Sequence, residues 1–225
     1  MADAAEGGRT ALLLGATGLV GGHCLDLLLD DGAWERVTVV ARRPSGRAHP
    51  RLREVVADFD RLGQAADAFA ADDVFCCLGT TIRKAGSQEA FRRVDHEYVV
   101  RSAELAREQG AKRFLLVTAL GADPGSRVFY NRVKGEAERD VTALPFEGVA
   151  LLRPSLILGD RAERRTAEAL AQKAAPLLSP LLVGPLRKYR AIPAATVARA
   201  MVRLAKERFA GVRVVENDEI AALGA

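Results

Sequence analysis

Tyr130 and Lys134 stand four residues apart in the segment FYNRVKGEAER. On a helix that spacing places both side chains on one face. A phenol can give a proton to a carbonyl oxygen that is becoming an alcohol, provided a nearby ammonium favours the phenolate left behind. The same ammonium can hydrogen-bond a ribose. Thr118 ends the apolar run RFLLVT. At a strand end its hydroxyl would either bond a substrate carbonyl or satisfy backbone. Thr118, Tyr130 and Lys134 are therefore the catalytic candidates, and their chemistry is the proton half of a hydride transfer.

Such chemistry needs a hydride carrier, and a glycine loop lies near the start of the chain. Gly15-Ala16-Thr17-Gly18-Leu19-Val20-Gly21 follows the apolar run Thr10 to Leu14 and precedes a helical pattern from Leu19 to Asp30. Gly15 permits a tight turn, Gly18 lets backbone approach a pyrophosphate, and Gly21 allows close helix–strand packing. The helix start adds free N–H groups, with Thr17, Leu19 and Val20 in contact range, and the positive end of a dipole. An acidic residue at the end of the second strand would mark NAD; that position reads Ala41-Arg42-Arg43-Pro44, with Arg47 close behind. Guanidinium groups pair well with a 2′-phosphate, so NADP(H) is expected over NAD(H). The plainer alternative is that these arginines coat a surface loop.

Other strand ends complete the expected cofactor contacts. Asp58 and Phe59 are placed to meet the adenine. Leu78, Gly79, Thr80 and Thr81 would run along the riboses, and Arg153 with Pro154 would frame the nicotinamide carboxamide through backbone groups. Asp95 falls on a helix, where exposure is as reasonable as burial. His23, His49, His96 and the cysteines show no metal-ligand spacing, so no metal is expected.

These residues need a scaffold that brings strand ends together. Apolar runs and helical periodicity alternate: strands at Thr10 to Leu14, Val37 to Ala41, Leu52 to Ala57, Asp73 to Leu78, Arg113 to Thr118 and Gly148 to Leu152. Ser87 reads as the N-cap of a long helix to about Glu108, with Phe91, Val94, Tyr98 and Leu105 as its inward stripe and Gly110 beyond its end. Tyr130 to Thr142 is the next helix. The expected fold is α/β: a doubly wound, Rossmann-type parallel sheet covered by helices on both faces. After Arg153 the pattern breaks. Residues 160 to 188 read as short helices interrupted by prolines, followed by a helix from Thr196 to Lys206 and a strand at Val212 to Val215. Residues 154 to 192 are expected to form a small substrate lobe over the crevice of a single domain.

The 225 residues suit one such domain, and a hydrophobic fraction of 49% supplies its core. The net charge of +4 is spread over scattered arginines with only 5% aromatics, which argues against nucleic acid. No apolar run reaches the ~20 residues of a membrane span. The polar opening MADAAEGGRT lacks a signal-peptide stretch, so a cytoplasmic protein is expected. Cys76 and Cys77 should point to opposite sheet faces as reduced core residues. A homodimer would fit base rates.

Taken together, the segments CLGTTIRKAGSQEAFRRVDHEYV, LLVTALGAD, YNRVKGEAE and LLRPSLILGDR resemble the atypical branch of the short-chain dehydrogenase/reductase superfamily, and more closely its Tat-interacting-protein group of NADPH-binding, oxidoreductase-like proteins. The likeness runs over about residues 10 to 205. It implies a Rossmann fold, NADPH in the crevice and a Tyr-x-x-x-Lys pair at Tyr130 and Lys134. It also implies a glycine loop at Gly15, Gly18 and Gly21, and a basic pair at Arg42 and Arg43. The superfamily carries a third catalytic serine or threonine at the fifth strand's end; here Thr118 is available, followed by Ala119 and Leu120. The leading expectation is an NADPH-dependent reductase of a small carbonyl compound. The alternatives are an NADPH-sensing regulatory protein that acts on a protein partner without turnover, and a nucleotide-sugar epimerase or dehydratase, which usually has a larger C-terminal lobe.

Overall fold

The apolar runs form strands because both of their faces are covered. In the computed structural model, which describes residues 8–159 and 184–225, they build one parallel seven-stranded sheet. In chain order its strands are β1 (Arg9–Leu14), β2 (Trp34–Ala41), β3 (Leu52–Val56), β4 (Asp73–Cys76), β5 (Arg113–Val117), β6 (Gly148–Arg153) and β9 (Gly211–Glu216). They lie in the order β3-β2-β1-β4-β5-β6-β9. The order reverses between β1 and β4, and the crevice outside the carboxyl ends of such neighbours is where open α/β sheets bind ligands. The doubly wound fold expected from the sequence is thus the fold observed.

Successive side chains leave opposite faces of β1, which explains its unbroken apolarity. Leu13 joins a core under α1 (Leu19–Asp30) and α6 (Ala194–Lys206), with Leu25, Leu28 and Met201. Leu12 and Leu14 join the other core, with Phe69, Val99 and Phe114, under α4 (Tyr98–Glu108). Cys76 belongs to this second core and Cys77 packs against the first, as the alternation requires. Beyond β6, β7 (Ile157–Leu158) pairs in parallel with β8 (Ile192–Pro193). A short 3₁₀ turn spans Gly184–Tyr189, and α7 (Asn217–Leu223) follows β9. The short helices expected over 160–183 lie outside the described residues.

Two elements differ from their expected limits. β2 begins at Trp34 rather than Val37, because Trp34 is fully buried and its indole N–H donates to Asp73 Oδ2 at 2.8 Å. Asp73 is itself buried at the start of β4, paired with Arg113 at 2.6 Å and Arg9 at 3.1 Å. The expected long helix is interrupted. α3 (Gln88–Arg92) is capped by the Ser87 hydroxyl, which accepts the Ala90 N–H, and a π turn at Arg93–Glu97 then leads into α4. A π turn widens the helix locally and shifts which residues face inward. Phe91 and Leu105 are buried as expected, but Asp95 and Val99 take the inward places expected of Val94 and Tyr98.

Removing one partner of a buried charge cluster leaves the others uncompensated. Asp73→Ala is therefore expected to destabilise the fold by about 3–5 kcal/mol, read as a lower urea midpoint. A loss below ~1 kcal/mol would show that solvent reaches the two guanidinium groups.

Candidate dinucleotide and catalytic site

The glycine loop has the shape its sequence suggests. Gly15 takes a φ of +82°, and a Cβ there would lie 2.5 Å from the Cys77 carbonyl oxygen, so β1 turns tightly against the end of β4. A Cβ on Gly21 would lie 2.1 Å from the Gly15 carbonyl oxygen, so α1 can start this close to the strand only with glycine. Gly18 is exposed; its N–H donates to the Gly15 carbonyl at 2.9 Å, and the one atom near its missing side chain is that same oxygen at 3.2 Å. The first N–H groups of α1, from Leu19 to Gly21, have no acceptor within the helix, and no acidic side chain sits in its first turn. Val20 is buried, so it can contribute only backbone, while Thr17 is exposed beside the loop. A bare cradle with inward N–H groups and a positive dipole end fits a diphosphate.

At the end of β2, Arg42 and Arg43 are exposed and form no ion pair among the described residues. Arg47 is different: it is tied to Asp26 at 2.9 Å. Asp58 caps the 3₁₀ stretch Phe59–Phe69 by accepting the Asp60 N–H at 3.0 Å. The Phe59 ring is buried and tilts against Tyr98 at 5.4 Å, so that ring serves the core.

Beyond β4 the chain crosses from Leu78 to Thr81, where the Thr81 hydroxyl caps α2 (Ile82–Ala85). The Thr80 N–H donates to Asp95 Oδ2 at 2.9 Å. Below this stretch lies α5 (Phe129–Thr142), which carries Tyr130, Lys134 and Glu138 at successive turns of one face. Lys134 Nζ is 2.8 Å from Asp95 Oδ1, with the side chains 6% and 0% exposed. A Cβ on Gly79 would stand 3.3 Å from that Asp95 oxygen and 3.5 Å from Lys134 Nζ, so the ion pair sits directly against the bare glycine. Burial works against the Lys134 ammonium, but Asp95 and then Tyr130 outweigh it and hold the amine well above its ordinary range. Tyr130 is half-buried, with its ring tilted against Phe91 at 5.4 Å. Tyr130, Lys134 and Gly79 are thus brought together, joined by Asp95. The sequence left Asp95 open, and the structure buries it against Lys134.

Thr118 is placed differently. Its hydroxyl donates to Glu138 Oε1 at 2.6 Å and lies 3.2 Å from the Leu152 carbonyl. A hydroxyl has one proton, and here it goes to the carboxylate, which corrects the expectation of a donor free for a substrate carbonyl. Glu138 also holds Arg153 at 2.5 and 3.0 Å, and Arg153 reaches Glu216 at 3.4 Å. The Arg153 side chain is therefore a brace between β6, α5 and β9. The backbone expected to frame a carboxamide is already engaged as well: the Pro154 carbonyl accepts the Leu120 N–H at 2.9 Å, and the Ser155 N–H donates to Asn217 at 2.9 Å.

A family model described as NAD(P)H-binding matches residues 15–208. A protein from Rattus norvegicus, Protein HTATIP2, is 38% identical over 221 residues, covering 96% of this chain and 89% of that one. Protein fmp52, mitochondrial, of Aspergillus clavatus is 36% identical over 213 residues, covering 92% and 88%. The resemblance to the Tat-interacting-protein group is thereby borne out. The fungal name places that relative in the mitochondrion, so the likeness does not carry the cytoplasmic expectation. Among solved structures, MoeE5 in complex with UDP-glucose and NAD superposes with a TM-score of 0.70 at 20% identity, covering 96% of this chain and 81% of that chain. The UDP-Glc/GlcNAc 4-epimerase of Campylobacter jejuni gives 0.69 at 15%, covering 96% and 82%. At such identities the structures share the fold. Among the described residues, no helix is long and apolar enough to cross a membrane.

The Asp95–Lys134 pair yields a double-variant prediction. Asp95→Ala strands a buried ammonium and is expected to cost about 3–5 kcal/mol in urea unfolding. The double variant Asp95→Asn/Lys134→Gln, which removes both charges, should lose clearly less. A double variant that costs as much as Asp95→Asn and Lys134→Gln summed from separate measurements would mean that the two charges are not coupled.

Proposed function

This chain belongs to the NAD(P)H-binding family, and from that premise we propose that it is an NADPH-dependent reductase of a small carbonyl compound. Support for NADPH comes from Arg42 and Arg43, two exposed guanidinium groups at the end of β2 with no carboxylate partner among the described residues. When bound, NADPH would supply the hydride. The single observation that carries the reading is the Tyr130–Lys134 face of α5, set against the bare backbone of Gly79 with Asp95 beneath.

Each residue then has a role. N–H groups from Leu19 to Gly21 hold the diphosphate. Lys134 donates hydrogen bonds to a ribose hydroxyl and offsets charge that develops on the Tyr130 oxygen. Tyr130 gives its proton to the carbonyl oxygen of the substrate. Asp95 fixes the ammonium, and Thr80 fixes Asp95. The β7–β8 pair and the 3₁₀ turn at Gly184–Tyr189 would contribute to the wall on the substrate side.

One observation favours a second reading, an NADPH-sensing protein without turnover: the Thr118 hydroxyl is bonded to Glu138 and does not complete a catalytic triad. The nucleotide-sugar epimerase reading would use the same Tyr130–Lys134 face and rests otherwise on fold likeness at 20% identity or less.

Turnover separates the first two. NADPH consumption would be followed with a panel of aldehydes, ketones and quinones. On the best substrate, Tyr130→Phe is expected to slow the reaction by about 10²-fold or more, while NADPH binding by calorimetry stays within about threefold. Tight binding with no turnover on any member of the panel would favour the sensing protein.

A further inference from the structure

The π turn at Arg93–Glu97, which holds Asp95, also reaches the adenine end of the crevice. The Tyr98 N–H bonds back to the Arg93 carbonyl, five residues earlier, so Arg93 stands a widened turn above Tyr98. Tyr98 in turn leans over the 3₁₀ stretch after β3. Its ring packs on Phe59 at 5.4 Å, and its hydroxyl donates to Asp60 Oδ1 at 2.7 Å. The parallel register sets Ala41 opposite Val56, so Arg42 and Arg43 continue beside Ala57 and Asp58. The end of β2, with Arg42, and the π turn, with Arg93, therefore both approach Tyr98, from separate elements.

The nearby acids do not cancel these charges through ion pairs. Asp58 accepts the Asp60 N–H, and Asp60 accepts the Tyr98 hydroxyl. Burial first, and then the bond to Asp60, push that hydroxyl up to about 12, so it remains a donor across the physiological range. Arg93 is exposed and forms no ion pair among the described residues, whereas its neighbour Arg92 is held by Glu136.

We propose that Arg93 is a third cation for the 2′-phosphate of NADP(H), which is held between Arg42 and Arg43 on one side and Arg93 on the other, across Tyr98. The ligand chemistry is that of a phosphate monoester dianion on a ribose, which suits guanidinium groups converging from separate elements. The inference deepens the NADPH reading above and is independent of whether the protein turns over a carbonyl.

Binding alone tests it. Affinities for NADPH, NADH and 2′,5′-ADP would be measured by calorimetry at two salt concentrations on the wild type, Arg93→Gln, Arg93→Lys and Arg92→Gln. Arg93→Gln is expected to weaken NADPH and 2′,5′-ADP about tenfold while leaving NADH within about twofold, a difference that narrows as salt rises. Arg93→Lys should recover part of the loss. Arg92→Gln should not discriminate between the dinucleotides. An Arg93→Gln variant that binds NADPH as the wild type does, or that loses both dinucleotides equally, overturns the assignment. Arg42→Ala/Arg43→Ala measured alongside locates such a failure. If that double variant still weakens NADPH selectively, Arg93 alone is excluded; if it does not, the 2′-phosphate reading falls with it.

Discussion

A side chain on Gly21 would stand 2.1 Å from the Gly15 carbonyl oxygen, and one on Gly15 would stand 2.5 Å from that of Cys77. Every other part of the candidate site depends on those missing atoms. They let α1 begin against the end of β1 and let β1 end against β4. The free N–H groups of the helix therefore open into the crevice at which the strand order reverses. A larger residue at either position would move the helix away and turn the same donors toward bulk water. The bare backbone at Gly79 extends this geometry: it runs the β4 loop directly over the Asp95–Lys134 pair, beside the Tyr130–Lys134 face of α5.

Along α5 one face carries two different devices. Lys134 is paired with Asp95, which holds its ammonium in place beside Tyr130. One turn further on, Glu138 gathers Thr118 and Arg153 and ties the carboxyl ends of β5 and β6 to the helix. Buried ion pairs of this kind add little net stability over apolar packing, but breaking one is costly. A third cluster, Asp73 with Arg9, Arg113 and Trp34, does similar work at the amino ends of the strands, far from the crevice. Charge at one end of the sheet braces the fold, and at the other it arranges the site.

The π turn at Arg93–Glu97 is the local feature with the widest reach. Within and around it Asp95 meets Lys134, Val99 enters the core, and Arg93 stays outside above Tyr98.

The amino-acid sequence by itself determined the strands, their parallel packing, the glycine cradle, the Ser87 cap and the Tyr130–Lys134 spacing. Each of these is set by periodicity or by a few adjacent residues, so it can be read locally. Other features were decided only by the tertiary structure. Asp95 was buried against Lys134, and a carboxylate one turn beyond Lys134 took the Thr118 hydroxyl. Arg153 became a brace, and Pro154 and Ser155 gave their backbone groups to Leu120 and Asn217. These outcomes depend on which distant partner reaches a buried polar group first. That is a matter of packing and desolvation between elements remote in the chain, and no local pattern of residue types encodes it.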